Sequence, residues 1–214
     1  MSEPEPIFLF GAGGHGRAAA EVVRRAGTCR IACVLDDDPS AVSPHGTPGV
    51  AGGRERLERL ATEGTRRGFV AVGNNADREL LMTLAEAAGL ELVSIIDPSA
   101  IVAGDATVGP GTALMPMSFV GAGAAVGRGA IVNTAATVDH DCVIDDYAHI
   151  SCGVHLSGEC RVGARSLVGI GASIAGQVTL GDRVIIGAGA AVVGDVASGM
   201  VAAGVPARPL SSAP

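Results

Sequence analysis

Two hydrophobic patterns divide the chain. Up to residue 94, short β-branched and aromatic runs alternate with helical stretches. Ile7–Phe10 reads as a buried strand, Arg17–Arg25 as a helix, Arg30–Leu35 as a second strand and Phe69–Val72 as a third. A Pro/Gly-rich loop from Pro39 to Gly53, a charged helix from Arg54 to about Glu63 and another helix from Ala76 to Ala88 fill the intervals. Such a βαβ series predicts a parallel sheet of three or four strands. From residue 95 the pattern changes to a strict period of six. Every sixth residue from Ile96 to Val192 is Ile, Leu or Val, and the position four further on, from Ala100 to Val196, is always Ala, Ser, Thr, Cys or Val. Neither the helical period of 3.6 nor the strand period of two produces this, so the second half predicts a solenoid of short strands and turns. The expected domains are therefore 1–94 and 95–214.

Composition agrees with repetition. The 214 residues include 32 Gly but only four Phe, one Tyr and no Trp, so the core must be assembled from small aliphatic pieces. Fifteen basic residues, all Arg, stand against 22 acidic ones for a net charge of −7. No basic stripe is present to neutralise a phosphate backbone, which argues against nucleic acid as a partner. Gly, Asp or Arg interrupts every apolar run before membrane-spanning length, so no membrane partner is expected. The acidic opening, Met1 to Pro6, lacks the features of a signal peptide, and the mature chain is expected to begin there. Cys29, Cys33, Cys142, Cys152 and Cys160 are odd in number and never spaced as CxxC, which fits reduced thiols in a cytoplasmic protein.

The hexads resemble the hexapeptide-repeat family, whose fold is a left-handed parallel β-helix with three hexads, about 18 residues, in each triangular coil. On that resemblance the run makes nearly six coils. Its aliphatic residues fill the interior, and Gly109, Gly121, Gly127, Gly163, Gly169, Gly181 and Gly187 are expected to supply turn geometry that other residues avoid. The handedness comes from the resemblance alone, because parallel crossovers are ordinarily right-handed.

Polar departures from the repeat cluster at Asn133-Thr134 and Asp139-His140-Asp141-Cys142, followed by His149 and His155. His140 stands two places after its core aliphatic, Val138, and so points from a turn or the outer face and is not the buried member of its hexad. An imidazole beside a carboxylate is suited to general-base work near neutral pH, with Asp141 or Asp139 fixing its tautomer. The plainer reading is a solvated turn with an incidental histidine. Gly158 follows His140 by 18 residues, hence at the same corner one coil later if the family geometry holds, and its N–H could face the same reacting carbon. His149 and His155 should project outwards. One of them could be a surface or intersubunit residue. Asn133 and Thr134 read either as turn residues or as lining of an acceptor pocket. Cys142 and Cys160 occupy small interior positions and read as core, and no cysteine stands in an activated pair, which favours direct transfer without an acyl-enzyme.

The stretch from Asn133 to His149, NTAATVDHDCVIDDYAH, resembles the hallmark segment of bacterial sugar acetyltransferases that carry a small Rossmann-like domain before the β-helix. They include the bacillosamine and perosamine N-acetyltransferases and the sialic-acid O-acetyltransferases. Carried over by motif, the resemblance implies His140 as general base, Asp141 as its partner, His149 as a contact to the acetyl thioester and Gly158 as the backbone donor to its oxygen. Gly204-Val-Pro206-Ala-Arg208 resembles the loop that borders the coenzyme A nucleotide, with Arg208 where Lys is common. Asp145 stands where the repeat prefers Gly, which leaves the adjoining turn open. The family further implies acetyl-CoA as co-substrate, no metal, and a homotrimer with coenzyme A between neighbouring chains.

In the amino domain, Phe10-Gly-Ala-Gly-Gly-His-Gly16 follows a strand and opens a helix, with Asp36 twenty residues after Gly16. That satisfies a dinucleotide-binding fingerprint. A second mononucleotide half is missing, so half a dinucleotide is the more natural ligand, or the turn is glycine-rich with no ligand at all. As a site, N–H groups at Gly13, Gly14, His15 and Gly16 would hold a diphosphate, Asp36 and Asp37 would address ribose or base, and Gly73-Asn74-Asn75 would line the crevice. The resemblance points to a sugar nucleotide, and so to acetyl-CoA-dependent N-acetylation of a GDP- or UDP-linked 4-amino-4,6-dideoxy sugar such as perosamine. Three rival readings stand beside it: sialic-acid O-acetylation with the same base, a zinc hydratase using His140, His149 and His155, and a non-catalytic sugar-nucleotide sensor.

Overall fold

The computed structural model describes residues 4–212 and divides into two compact units, one ending at Pro98 and one beginning at Ser99. In the first unit the chain order is β1 (Glu5–Phe10), α1 (Gly14–Ala26), β2 (Cys29–Leu35), a 3₁₀ turn (Arg54–Arg56) running into the single-turn α2 (Leu57–Leu60), β3 (Arg67–Val70), α3 (Asn75–Ala87) and β4 (Glu91–Leu92). The sheet order is β2-β1-β3-β4, all parallel. Ile7, Phe8, Leu9 and Phe10 of β1 are all buried, as a central parallel strand covered on both faces requires. Phe8 lies across Gly68 of β3, where a Cβ would stand 2.1 Å from its ring. Two elements differ from the sequence expectation. The charged helix expected from Arg54 to Glu63 is only a 3₁₀ turn and one helical turn, because Leu57 and Leu60 are its only buried side chains and nothing extends the apolar face. The two-residue β4 is too short to show in the hydrophobic pattern.

α1 forms where Ala19, Ala20, Val22 and Val23 give one buried face. It ends at Gly27, whose left-handed φ of 67° lets its N–H return to Val23 O. Its start is a glycine problem: a Cβ on Gly16 would lie 2.0 Å from Gly11 O, and one on Gly11 2.6 Å from Ala71 O. Both glycines are therefore there for close backbone approach.

The second unit is the parallel β-helix implied by the hexads, left-handed as the family resemblance implies. Two-residue strands stack into three parallel faces, each strand pairing in register with the strand 18 residues later, as Thr137 does with His155 and His155 with Ser173. One face includes Thr137–Val138 and His155–Leu156, the next Val143–Ile144 and Arg161–Val162, and the third Ile131–Val132, His149–Ile150 and Leu167–Val168. The interior holds the aliphatic and small positions of the hexads, from Leu114 and Val120 to Val192 and Val196, almost all under 5% exposed. A hexad aliphatic is covered fully only where coils flank it. Val102 and Val108 are accordingly half-buried, and Ile96, which the periodicity counts as core, is 41% exposed.

The repeat glycines need a different explanation from the one their spacing suggests. Gly109, Gly121, Gly127, Gly163, Gly169, Gly181 and Gly187 do not have positive φ; a Cβ there would come within 2.4–2.8 Å of an atom of the coil below. Positive φ falls two residues later, on Gly111, Gly123 and Gly129 but also on Asp141, Tyr147 and Glu159. At Asp145 the turn stays regular: its N–H donates to Val162 O and its carboxylate pairs with Arg161 at 2.7 Å. The C-terminal segment is a hairpin, Met200–Gly204 against Ala207–Ser212, added to the face that carries His149.

Candidate active site

His140 sits at the corner that joins the Thr137 strand to the Val143 strand, with Asp139 and Asp141 on either side. Asp139 Oδ1 accepts the His140 N–H at 2.7 Å, which stiffens the corner. Asp141, at φ 58°, turns its carboxylate back so that Oδ2 meets His140 Nδ1 at 2.9 Å. A carboxylate only accepts, so Nδ1 carries the proton and Nε2 keeps its lone pair. The hydrogen bond that His140 donates to Asp141, helped by the charges of Asp139 and Glu159, holds the imidazole above its ordinary value. Of the two acidic candidates for partner, geometry chooses Asp141.

One coil on, Gly158 lies under that imidazole. A Cβ on Gly158 would fall 2.4 Å from both Cε1 and Nε2 of His140, so the ring can rest there only because the residue is glycine. The corner is tied to the one above it by the Glu159 N–H donating to His140 O at 2.9 Å. The Gly158 N–H itself meets no protein acceptor among the described residues. A basic nitrogen and an uncommitted amide thus occupy adjacent coils of one corner. That is the equipment for taking a proton from an attacking nucleophile while holding a negative oxygen.

His149 is elsewhere in the chain, opening a strand on the third face, and the chain does not bring it to His140. Its tautomer is also determined. Asn133 Oδ1 accepts the Thr134 N–H at 2.8 Å, which turns Nδ2 towards His149 Nε2 at 3.2 Å. The amide nitrogen only donates, so Nε2 is the acceptor and Nδ1 holds the proton. Asn133, left open by the sequence between turn and pocket, is thus the partner of His149. The hairpin extends this same face, with Gly204 opposite Ala207 and Val205-Pro206 at the tip; Arg208 is exposed. The expected site residues of the solenoid therefore fall into two groups, His140–Asp141–Gly158 at one corner and His149–Gly204–Pro206–Arg208 on the opposite face. His155, on the Thr137 face, bonds Thr137 Oγ1 through Nδ1 at 2.9 Å. The three histidines of the hydratase reading do not converge within the chain, and among the described residues no three His, Cys, Asp or Glu side chains are grouped to share a metal ion.

The amino-terminal unit carries a second constellation. Gly13 is the N-cap of α1 and no side chain caps the helix, so the first-turn N–H groups of Gly14, His15 and Gly16 are left to an outside acceptor. Asp36, at the end of β2, reaches across to the glycine loop and accepts the Ala12 N–H at 2.7 Å and the Asp38 N–H at 2.9 Å. Asp37 is held by Arg54, whose Nε and backbone N–H each donate at 2.9 Å. That hydrogen bond holds the Asp37 carboxyl below the usual carboxylate range. Asn74 caps α3, accepting from Ala76 and Asp77 N–H. Sequence reasoning missed Arg78, fully buried, which donates to the carbonyls of Val72, Gly73 and Asn74 and to Asn75 Oδ1 at 2.8 Å. An arginine four residues after a cap looks like any exposed helical charge, so no signal marked it. Burial and the Arg78 charge push the His15 imidazole down to about 4, so it is neutral, and its buried Nε2 has no hydrogen-bond partner.

Comparison with known proteins agrees with both halves. Residues 6–85 match the PglD N-terminal domain and residues 159–194 the bacterial transferase hexapeptide (six repeats). UDP-N-acetylbacillosamine N-acetyltransferase of Bacillus subtilis is 36% identical over 122 residues; the match spans 51% of this chain and about half, 50%, of that protein. A histidine-to-asparagine variant of perosamine N-acetyltransferase from Caulobacter crescentus, solved with CoA and GDP-perosamine, is 35% identical with a TM-score of 0.93, covering 99% of each chain. The acetyltransferase domain of PglB from Neisseria gonorrhoeae, solved with acetyl coenzyme A, is 42% identical with a TM-score of 0.89, covering 97% of this chain and all of that one. Among the described residues no helix is long and apolar enough to cross a membrane.

Proposed function

Because the chain belongs to the hexapeptide-repeat sugar N-acetyltransferases with a PglD-type amino-terminal domain, we propose that it moves the acetyl group of acetyl-CoA onto the 4-amino group of a nucleotide-linked 4-amino-4,6-dideoxy sugar. The observation that carries this reading is the His140 corner: Nδ1 committed to Asp141 at 2.9 Å and Nε2 poised over Gly158. The neutral amine attacks the thioester carbonyl carbon while His140 Nε2 takes its proton, and the oxygen of the tetrahedral intermediate is held by the Gly158 N–H. Collapse breaks the C–S bond, and the imidazolium returns the proton to the departing thiolate. Asp141 keeps the ring in the working tautomer and favours its charged form. Direct transfer fits the cysteines, since burial pushes the Cys142 thiol up to about 11 and leaves it a poor nucleophile.

His149 and the Gly204–Arg208 hairpin serve the coenzyme. Their place on a different face from His140 supports a site completed between neighbouring chains, in keeping with a homotrimer. In the amino-terminal unit the uncapped start of α1 would receive the diphosphate. Asp36, engaged by the glycine loop, acts by shaping that loop, with Asp37 and Arg54 at its rim.

The test is free-thiol release from acetyl-CoA with UDP- and GDP-linked 4-amino sugars and with free and CMP-linked sialic acid, for the wild type and His140→Ala. Turnover with one amino sugar, collapsing in the variant, is the expected result, and GDP-perosamine is the first acceptor to try. Turnover with sialic acid alone would transfer the same corner to O-acetylation.

A further inference from the structure

The small interior position of the hexad usually holds a residue without a donor, such as Ala124, Ala136 or Ala148. Where it holds a donor, a specific bond recurs. Thr112 Oγ1 donates to Gly127 O at 2.8 Å, Cys142 Sγ to Ser157 O at 3.2 Å, Cys160 Sγ to Ala175 O at 3.0 Å and Ser166 Oγ to Gly181 O at 2.8 Å. Each reaches the carbonyl 15 residues on, the first residue of the corner one coil later. Position alone does not force the bond, since the buried hydroxyl of Ser118 has no partner.

At most corners this first carbonyl is satisfied locally, by the N–H three residues on, as Ala124 N–H does for Gly121 O and Ala136 N–H for Asn133 O. At Ser157 that turn bond is missing. The Ser157 carbonyl takes the Cys142 thiol as its donor instead. Ser166 goes a step further at its own corner, accepting the Val184 N–H at 2.9 Å while donating to Gly181 O. At that corner the interior side chain stands between the turn's donor and its acceptor, and at Ser157 the interior thiol satisfies the acceptor.

One of these four bonds bears on the proposed chemistry. Ser157 C=O and Gly158 N–H belong to the same planar trans peptide and point in opposite directions. Cys142 is fully buried, so its thiol draws Ser157 O towards the interior and aims the Gly158 N–H outwards, beside the His140 imidazole. We propose that Cys142 is a positioning residue for acetyl transfer, orienting the Ser157–Gly158 peptide so that its amide meets the thioester oxygen. Cys142 touches no substrate and acts through Gly158. This rests on the reading that Gly158 holds the transferring oxygen.

The test measures kcat, KM and pH profile for Cys142→Ala, Cys142→Ser and Thr112→Val, using the acceptor that the wild type turns over. Alanine is already the residue at many of these interior positions, so Cys142→Ala should fold, and a melting curve checks it. A fully lost oxyanion donor costs about 10²- to 10³-fold, and a donor still present but no longer held should cost about tenfold in kcat. KM for both substrates and the acidic limb of the pH profile should stay in place, because His140 and Asp141 are untouched. Cys142→Ser supplies a hydroxyl, as Ser166 does at its own corner, and should restore kcat to within about threefold. Thr112→Val removes the equivalent bond at another corner and should leave kcat unaltered. Wild-type kcat in Cys142→Ala, failure of serine to restore it, or an equal fall in Thr112→Val would each overturn the proposal while leaving the acetyl-transfer reading standing. A wild type that turns over no acceptor would overturn both.

Discussion

The two units carry their chemistry in opposite ways. In the solenoid every residue has a place in a period of six, so a polar group that breaks the period announces itself, and the corner holding His140, Asp141 and Gly158 is such a break. In the α/β unit, charged and glycine residues are the ordinary means of building the fold, and the same residue types serve structure and ligand alike. Asp36 ties the glycine loop, Asp37 is paired to Arg54, and Asn74 caps α3. A regular background makes function visible; an irregular one hides it.

Replacing His140 is the sharpest way to test that contrast. His140→Ala should lower kcat by about 10²- to 10⁴-fold, the usual range for a lost general base, with an unchanged melting temperature because the side chain is exposed. A fall of less than fivefold in a well-folded variant would return the corner to a solvated turn. Gly158→Ala comes next. Its Cβ would occupy the space of the imidazole, 2.4 Å from two ring atoms, so the ring must swing away, and kcat should fall by about a hundredfold. Gly176→Ala, one coil further, meets nothing nearer than Gly158 O at 3.4 Å and should stay within about threefold of wild type. Equal effects at the two glycines would mean that the corner matters only as packing.

Asp141→Asn separates the partner's charge from its shape. The base works only when unprotonated, so activity falls as pH drops through the His140 value, which Asp141 holds above the ordinary 6.5. Losing the charge should move the acidic limb of kcat/KM to lower pH and reduce the plateau rate by about tenfold, since asparagine no longer stabilises the imidazolium. An acidic limb that stays in place in this variant would remove Asp141 from the mechanism.

Legibility in the sequence followed the same division. The hexads gave strand positions and interior residues directly, because a stacked coil repeats its environment, and the family resemblance supplied the 18-residue register. The reason for the repeat glycines was not legible: their spacing suggested special φ, whereas it is the approach of the next coil at Gly121 or Gly163 that excludes a Cβ. The role of Cys142 was equally hidden, since a small buried thiol reads as filler until the carbonyl above it is seen to lack its turn bond. In the amino unit the glycine motif and the parallel strands were readable from local pattern. Arg78 was not, because its burial depends on the carbonyls of residues 72–74 converging after β3, a tertiary event without periodicity.

His15 offers the smallest effect and the one that probes the irregular unit by itself. Its folded value, about 4, lies below the ordinary 6.5, through burial first and the Arg78 charge second. Between those values the unfolded chain binds a proton that the folded chain refuses, so stability is fully present above about pH 6.5, declines as the pH falls towards 4, and loses nothing further from this group below that. Carboxylates titrate over part of the same range, so the comparison must be with a variant. His15→Gln keeps a neutral polar side chain and removes the titration. The wild type should therefore lose a few degrees more of melting temperature than the variant between pH 7 and pH 4.5. Parallel curves would show that the imidazole is open to protons in the folded state, and with that the neutral, half-buried His15 in the first turn of α1 would have to be abandoned.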